Sequence, residues 1–190
     1  MHDQEYYDWW SFLKPLLDVK HIRMLNETIL NNYESEEETR AGAHDLEGKS
    51  LKNIKPKNIS LKFLPTFFFD NILSLAFHVC HYKFGLVTFP PNIWDGLLYN
   101  VYSGDIKGKY GEHVDSSNSW AYDSKMTFLI NLSEEPYEGG DFIINGQTQD
   151  FFREPGTAIM FKSHLRHEVT PVTKGNRTSL TYFIHGPKFQ

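Results

Sequence analysis

The chain of 190 residues contains a single cysteine, and its most apolar stretch is too short to span a bilayer. With Cys80 alone an internal disulfide is excluded, and the cysteine content does not indicate secretion. Cys80 lies among Ala76, Phe77 and Val79, so we expect a buried structural thiol rather than a nucleophile. The N-terminus lacks the basic start and apolar core of a signal peptide, and a soluble, cytoplasmic protein without a membrane partner is therefore expected.

An excess of basic residues is also missing. The chain has 19 Lys and Arg against 24 Asp and Glu, a formal net charge of −5 with histidine neutral. This charge argues against a protein whose affinity comes from neutralising phosphates, so nucleic acid is not an expected partner. The basic residues that do cluster are interpreted as part of a solvated loop: Lys49, Lys52, Lys55, Lys57 and Lys62.

What is present is a globular composition rich in aromatic residues. Apolar residues make up 40% of the chain and charged residues 23%, with 15 Phe, 10 Tyr and 4 Trp. The length predicts one domain over residues 1–190 with one sizeable core. Internal repeats and low-complexity segments are not evident in the sequence.

The first part of the chain predicts two helices. Apolar residues recur at steps of three and four over residues 18–32, which is typical of an amphipathic helix. A second helix is predicted over residues 66–82, with Gly85 as its stop. Between them, residues 33–58 run from acidic to glycine- and lysine-containing sequence and are interpreted as a loop or edge region.

After Gly85 the apolar period changes from 3.6 to 2, which predicts strands. Turn residues separate them: Asn145-Gly146 is the preferred pair for a two-residue hairpin, and Gly139-Gly140 and Pro155-Gly156 mark further turns. This pattern predicts a mainly β, α+β fold, a sandwich or barrel of the jelly-roll kind with the N-terminal helices packed on one sheet. The predicted strands are 97–102, 126–132, 141–145, 147–152, 157–161, 168–172 and 178–184.

The stretch YGEHVDSSNSW, residues 110–120, places His113 and Asp115 two positions apart. In a strand, such residues point to the same face, with Val114 directed to the opposite layer. A lone H-x-D is weak support for a metal site. Two histidines and one carboxylate on one face of an ion, however, form the facial triad of non-haem Fe(II) oxygenases.

The third ligand has two candidates, His164 and His167. Arg177 follows ten residues after His167, and Ser179 lies two residues further, on the same face of a strand. A buried arginine facing a metal cavity could bind an acidic cosubstrate through two parallel hydrogen bonds, with the Ser179 hydroxyl adding one more.

This order of motifs resembles the Fe(II)/2-oxoglutarate-dependent dioxygenase superfamily and, within it, the prolyl 4-hydroxylase group with its bacterial and phage-type prolyl/lysyl hydroxylase domains. Four elements carry the resemblance: YSGDIKGKYGEHVD, LINLSEEPYEGGDF, EPGTAIMF and HEVTPVTKGNR. They cover about half the chain in the expected order. The resemblance implies a double-stranded β-helix core over residues 94–187, supported by a helical and loop region over 1–93.

The resemblance also implies the site. It makes His113, Asp115 and His167 the iron ligands and leaves His164 as an exposed loop histidine. Arg177 would hold the distal carboxylate of 2-oxoglutarate, with Ser179 as a second contact.

Aromatic residues have less definite roles. The resemblance implies a tyrosine reaching the same carboxylate, either Tyr102 or its rival Tyr99. Tyr110 corresponds to a position near the substrate, and Trp120 and Tyr122 are candidates for a substrate wall; packing explains these three equally well.

The implied function is hydroxylation of an unactivated C–H bond with Fe(II), 2-oxoglutarate and dioxygen, with ascorbate as a candidate reductant. A proline residue in a peptide or protein is the leading substrate, and a free amino acid or other small molecule is the alternative. A zinc hydrolase with a His₂Asp site would not need Arg177 and Ser179 and would want a nearby general base. A non-catalytic jelly-roll binding module is the remaining alternative.

Overall fold

The computed structural model describes residues 8–32, 60–91, 96–115 and 122–188. The predicted loop 33–58 and Trp120 lie outside the described residues. Among the described helices, none has the length and apolar character needed to cross a membrane.

Both predicted helices form. Helix α1 spans Val19–Asn32, and the Asp18 carboxylate accepts a hydrogen bond from the His21 N–H at its start (2.8 Å). A short 3-10 helix, Thr66–Phe69, leads into α2, Asp70–Phe84. Gly85 ends α2 with φ 62°, a left-handed conformation that glycine adopts without steric cost.

The described residues contain twelve strands in three antiparallel sheets. A six-stranded sheet has the order β1-β9-β5-β12-β3-β2, a four-stranded sheet has the order β4-β10-β7-β8, and β11 pairs with β6. The strands are β1 Trp9–Phe12, β2 Ser60–Pro65, β3 Gly96–Ser103, β4 Tyr110–His113, β5 Asp123–Asn131, β6 Glu138–Gly139, β7 Phe142–Ile144, β8 Gln147–Thr148, β9 Ala158–Lys162, β10 His167–Val169, β11 Val172–Lys174 and β12 Asn176–Gly186.

The predicted fold class, a mainly β jelly roll with helices packed on one sheet, is confirmed. The two edge strands of the six-stranded sheet, β1 and β2, come from the N-terminal region, to which sequence analysis assigned no strand. Each pairs with one neighbour only, and β1, with four residues of intermediate burial, shows no alternation. The division at residues 93 and 94 stays a prediction, although the N-terminal region supplies both edges of the main sheet.

Strict alternation along the central strands gives the six-stranded sheet two different faces. On β5, Met126, Phe128 and Ile130 pack in the core that contains Ile22 and Ile29 of α1. Leu129 faces the other way, into a second core shared with the four-stranded sheet. We call this enclosed space between the two sheets the barrel interior. Every second side chain of β3, β5, β9 and β12 therefore faces it.

Several local predictions need correction. The segment 147–152 is not one strand, because β8 ends at Thr148 and a 3-10 helix, Asp150–Arg153, follows. The segment 168–172 is divided between β10 and β11. Lys62 is not part of a solvated loop; it is buried on β2.

Other local predictions are confirmed. Asn145 and Gly146 have φ values of 47° and 75°, and Ile144 pairs directly with Gln147, as a two-residue hairpin requires. Cys80 is fully buried beside the Met160 sulfur (3.5 Å), and burial raises the pKa of its thiol to about 12. A thiol in that state is a poor nucleophile.

Candidate metal and cosubstrate site

The register of the four-stranded sheet brings two histidines together. His167 on β10 lies directly opposite His113 on β4, and their ring centroids are 4.2 Å apart. The Asp115 carboxylate meets both: Oδ1 lies 3.5 Å from His113 Nε2, and Oδ2 lies 3.2 Å from His167 Nε2. One potential ligand atom from each of the three residues falls within 4.8 Å of the others.

Asp115 reaches this position differently from the sequence expectation. Strand β4 ends at His113, so Asp115 lies beyond it, and Val114 is 43% exposed instead of pointing into an opposite layer. The Asp115 N–H donates to the Ser163 carbonyl (2.8 Å), just past the end of β9. This bond to the six-stranded sheet turns the carboxylate back toward the histidines.

Backbone carbonyls fix the orientation of both imidazoles. His113 Nδ1 lies 2.8 Å from the Gly111 carbonyl oxygen, and His167 Nδ1 lies 3.0 Å from that of Leu165. A carbonyl only accepts, so each Nδ1 carries the proton and each Nε2 faces the carboxylate. Phe161 packs edge-on against His167 (4.7 Å), which restricts its ring further. Imidazoles held in this way are suited to bind a metal through Nε2.

The charges of the triad stabilise one another. Burial alone would raise the pKa of Asp115, but His167 and His113 beside it lower that pKa below its ordinary value. Burial alone would lower the pKa of His167, but the Asp115 charge raises it above its ordinary value of 6.5. Without a cation, His167 therefore supplies the positive charge that the buried carboxylate needs.

Divalent-metal affinity should consequently increase with pH. A metal binds neutral imidazole and must displace the His167 proton, so we expect affinity to rise by up to about tenfold per pH unit until the folded-state pKa is passed. The stability of the metal-free protein should change with pH in the opposite direction. Because the His167 pKa is raised on folding, the stabilising contribution of His167 is complete below pH 6.5 and is lost as pH rises through the pKa of His167 in the folded state. Calorimetric Mn(II) titrations between pH 6 and 9 would check this, and a pH-independent affinity would contradict it.

Arg177 is the second feature of the site. It lies on β12 and is only 2% exposed. Its guanidinium is over the rings of Tyr102 (5.0 Å) and Phe152 (5.6 Å), and Nη1 donates to Ser179 Oγ (3.2 Å). Nη2 has no hydrogen-bond partner among the described residues, and no carboxylate there pairs with this guanidinium. A buried, incompletely satisfied guanidinium suits an acidic ligand.

Tyr102 lies close to both features, and Tyr99 does not. Burial raises the pKa of the Tyr102 hydroxyl, the Arg177 charge lowers it and the Asp115 charge raises it. Tyr99 is on the opposite face of β3, where its hydroxyl donates to Asn26 Oδ1 of α1 (2.9 Å). Of the two rivals, only Tyr102 faces the barrel interior.

Of the remaining residues predicted for the site or its surroundings, only Tyr110 contacts the triad among those that the structure describes. Tyr110 stacks on the His113 ring (3.6 Å, 26°), and burial raises the pKa of its hydroxyl. Tyr122 is 36% exposed and contacts the His185 ring (4.7 Å). His164 is exposed and outside the triad. Trp120 lies outside the described residues.

Three contacts of the site were missed by sequence analysis. Thr127 and Ser163 form hydrogen bonds around the Asp115 carboxylate, and Gly140 lies against Arg177. A signal for Thr127 exists in the sequence, because it is a polar residue facing the barrel interior in the otherwise apolar run Met126–Ile130. Gly140 was recognised only as a turn residue, since its contact with β12 depends on tertiary packing.

Comparison with known proteins agrees with this geometry. Residues 97–185 match the family described as the 2OG-Fe(II) oxygenase superfamily. A PKHD-type hydroxylase of Gloeothece citriformis is 31% identical over 87 residues, 43% of this chain and 38% of that protein. The chain thus spans well under two thirds of the length of this curated relative.

Solved structures are similar over nearly the whole chain. The viral collagen prolyl hydroxylase of Paramecium Bursaria Chlorella virus-1, solved with 2OG, has a TM-score of 0.68 at 15% identity, covering 95% of this chain and 97% of that one. A prolyl hydroxylase from Trichoplax adhaerens, in complex with a hypoxia inducible factor peptide fragment, has a TM-score of 0.65 at 14% identity, covering 93% and 83%. The resemblance seen in the four sequence elements is confirmed: residues 97–185 match the 2OG-Fe(II) oxygenase superfamily, and the fold is similar to that of solved prolyl hydroxylases.

Proposed function

We propose that this protein is an Fe(II)- and 2-oxoglutarate-dependent dioxygenase that hydroxylates a proline residue in a peptide or protein. The observation that carries the proposal is the pairing, in one barrel interior, of a His₂Asp cluster with a buried guanidinium that has no acidic partner among the described residues. The first suits Fe(II) and the second a dicarboxylate cosubstrate.

Each residue has a definite task in this proposal. His113 and His167 would hold the ion through Nε2, and Asp115 through its carboxylate. Arg177, with Ser179 beside it, would bind the distal carboxylate of 2-oxoglutarate, and Tyr102 would complete that end of the pocket. When bound, iron and cosubstrate supply the oxidising chemistry, in which 2-oxoglutarate is decarboxylated to succinate and one oxygen atom of dioxygen enters a C–H bond.

The protein's own contribution is orientation and exclusion of water. The carbonyls of Gly111 and Leu165 hold the imidazoles, and Phe142 and Phe161 enclose the buried side of His167. No protein side chain is required to act as a general base. The proposal thus accounts for Arg177, which a His₂Asp zinc hydrolase would leave without a task.

A peptide substrate is proposed from two observations. The similar Trichoplax structure holds a peptide fragment. In this protein Tyr110 is a half-buried aromatic residue that stacks directly on the ring of His113. Its ring provides apolar contact area for a proline at the triad. Incubation with proline-containing peptides and free proline, followed by mass spectrometry for one added oxygen, would test this substrate class.

Anaerobic titration with Fe(II) and then 2-oxoglutarate tests the reaction class without knowledge of the substrate. We expect a weak visible charge-transfer band only when both are present. Folded protein that binds Fe(II) and 2-oxoglutarate without the band would contradict the proposal.

Removal of a single triad side chain should abolish tight metal binding. His113→Ala, Asp115→Ala and His167→Ala each remove one of three protein ligands, and we expect Mn(II) affinity to fall by at least about 100-fold. His164→Ala is the matched control, because His164 is exposed and only three residues from His167. Equal losses in His164→Ala and His167→Ala, measured by calorimetry, would refute the assignment.

A further inference from the structure

The Asp115 carboxylate is embedded in a small network of hydroxyl groups from the six-stranded sheet. Thr127 on β5 donates to Asp115 Oδ2 (2.8 Å), and its oxygen lies 3.1 Å from Ser163 Oγ. Thr127 is 1% exposed and Ser163 is 0% exposed. Both side chains face the barrel interior and lie between the six-stranded sheet and the loop that contains Asp115.

The direction of these hydrogen bonds follows from counting protons. A carboxylate that binds a cation has no proton, so it can only accept, and the single Thr127 hydroxyl proton must go to it. Thr127 therefore has only lone pairs left for Ser163, and Ser163 must be the donor in that pair. The result is a directed chain from the Ser163 hydroxyl to the Thr127 hydroxyl to Asp115 Oδ2.

The same residues also close a ring through the backbone. The Asp115 N–H donates to the Ser163 carbonyl (2.8 Å), and the Ser163 N–H donates to the Lys125 carbonyl (3.1 Å), two residues before Thr127. Both the main chain and the carboxylate of Asp115 are thereby fixed to the six-stranded sheet, whereas both histidines belong to the four-stranded sheet. The ring sets the position of the carboxylate relative to the imidazoles.

We infer that Thr127, supported by Ser163, is a positioning residue that holds Asp115 Oδ2 and so leaves Oδ1 to the metal ion. The inference rests on the proposed function, since it assumes that the triad binds a divalent cation. Apolar packing alone does not explain a hydroxyl here, because the neighbouring interior positions Leu129 and Phe161 are apolar. Without the ring, the carboxylate could turn about its terminal torsion and use either oxygen.

The test compares two substitutions that separate the hydroxyl from the methyl group of Thr127. Thr127→Val keeps the branched shape and removes the donor, and Thr127→Ser keeps the donor and removes the methyl group. We expect Thr127→Val to weaken Mn(II) binding by about 10- to 100-fold, the usual effect of losing a hydrogen bond to a metal ligand. The Mn(II) affinity of Thr127→Ser should stay within about twofold of wild type, because this variant keeps the hydrogen bond to the metal ligand.

A second readout distinguishes positioning from a general loss of structure. The ligand-field absorption of the Co(II)-loaded protein should change in Thr127→Val, because the released carboxylate can use both oxygens, and should be unchanged in Thr127→Ser. Unchanged Mn(II) affinity and Co(II) spectrum in folded Thr127→Val would overturn the inference. Equal losses in the Val and Ser variants would do the same, because packing rather than the hydroxyl would then be the cause.

Two further Mn(II) titrations, of Ser163→Ala and of the wild type, complete the experiment. If Thr127→Val does not fold, Ser163→Ala decides: a several-fold weaker Mn(II) affinity is expected, and an unchanged affinity overturns the inference. The wild-type titration reports separately on the proposed function. Wild type that binds no divalent ion would reject the metal site itself, whereas tight wild-type binding with no effect of these variants would reject only the role of Thr127.

Discussion

Replacing Arg177 with methionine is expected to abolish 2-oxoglutarate binding with little change in the stability of the ligand-free protein. Arg177 is 2% exposed, and its Nη2 atom has no partner among the described residues. A buried donor without a partner costs about 1–3 kcal/mol, and a charged one more. Methionine removes this cost and fills the space of the arginine stem.

Other contributions oppose this gain. Arg177 makes cation–π contacts with Tyr102 and Phe152, worth about 0.5–2 kcal/mol. A methionine sulfur beside the rings recovers about 0.3–1.5 kcal/mol of this. The hydrogen bond from the charged guanidinium to Ser179, worth about 1.5–3 kcal/mol, is lost as well. The gain and the losses are of similar size, so we expect the unfolding free energy to change by no more than about 2 kcal/mol.

Thermal unfolding with and without cosubstrate measures both effects. In Mn(II)-loaded wild type, 2-oxoglutarate at 100 times its Kd should add about 2.7 kcal/mol of stability, and in Arg177→Met it should add none. Arg177→Lys is the matched control: it keeps the charge, loses the planar fork and should retain weak binding. A less stable Arg177→Met protein that still responds to 2-oxoglutarate would show that this residue is structural.

The alternation of apolar and polar residues was sufficient to predict a mainly β sandwich or barrel, and the resemblance to a known family added the double-stranded β-helix. Residues 126–132 and 178–184 have one apolar face that packs on the helices, and the structure places them at the centre of the six-stranded sheet as β5 and β12. The edge strands were not predicted. Strand β1 has four residues, all of intermediate burial, and such a strand carries little periodic signal. The predicted strand 147–152 was also too long, because a short segment carries too little periodic signal to separate the two-residue strand β8 from the 3-10 helix that follows it.

Contacts of the site between residues close in sequence were predictable, and contacts that depend on tertiary packing were not. The i, i+2 spacing correctly indicated that His113 and Asp115 converge, but the reason was different, since Asp115 lies past the end of β4 and is turned by its bond to Ser163. The contribution of Ser163 has no local sequence signal. It arises because β9 ends next to the H-x-D loop, a fact that belongs to the topology.

Gly140→Ala should weaken 2-oxoglutarate binding, although Gly140 is not among the residues proposed to contact the cosubstrate. Gly140 has φ 64°, and an added Cβ would lie 2.8 Å from Val172 Cγ2 and 3.1 Å from Arg177 Cδ. Both distances are shorter than ordinary carbon contacts. The methyl group must therefore displace the Val172 side chain and the stem of Arg177.

The loop that carries Gly140 cannot easily retreat. Arg153 donates to the Gly139 carbonyl (2.7 Å) and to the Asp141 carboxylate (2.5 Å), and the Gly140 N–H donates to the Pro171 carbonyl (3.1 Å). With both neighbours of Gly140 held, strain passes to Arg177. A guanidinium displaced by a few tenths of an ångström loses the alignment of paired hydrogen bonds, and we expect the Kd for 2-oxoglutarate to rise by at least about tenfold, equivalent to 1.4 kcal/mol.

Gly146→Ala separates this contact from the backbone cost. Gly146 has φ 75°, close to that of Gly140, but an added Cβ there would meet nothing within 4 Å. Both variants should lose about 1–2 kcal/mol of stability to backbone strain, because a non-glycine residue is strained in the left-handed region, and Gly140→Ala should lose more through its close contacts. Only Gly140→Ala should also lose cosubstrate affinity, measured as the 2-oxoglutarate dependence of the charge-transfer band, with Mn(II) affinity unchanged. If both variants keep wild-type affinity for 2-oxoglutarate, Arg177 tolerates the displacement, and the close approach of Gly140 matters for folding alone.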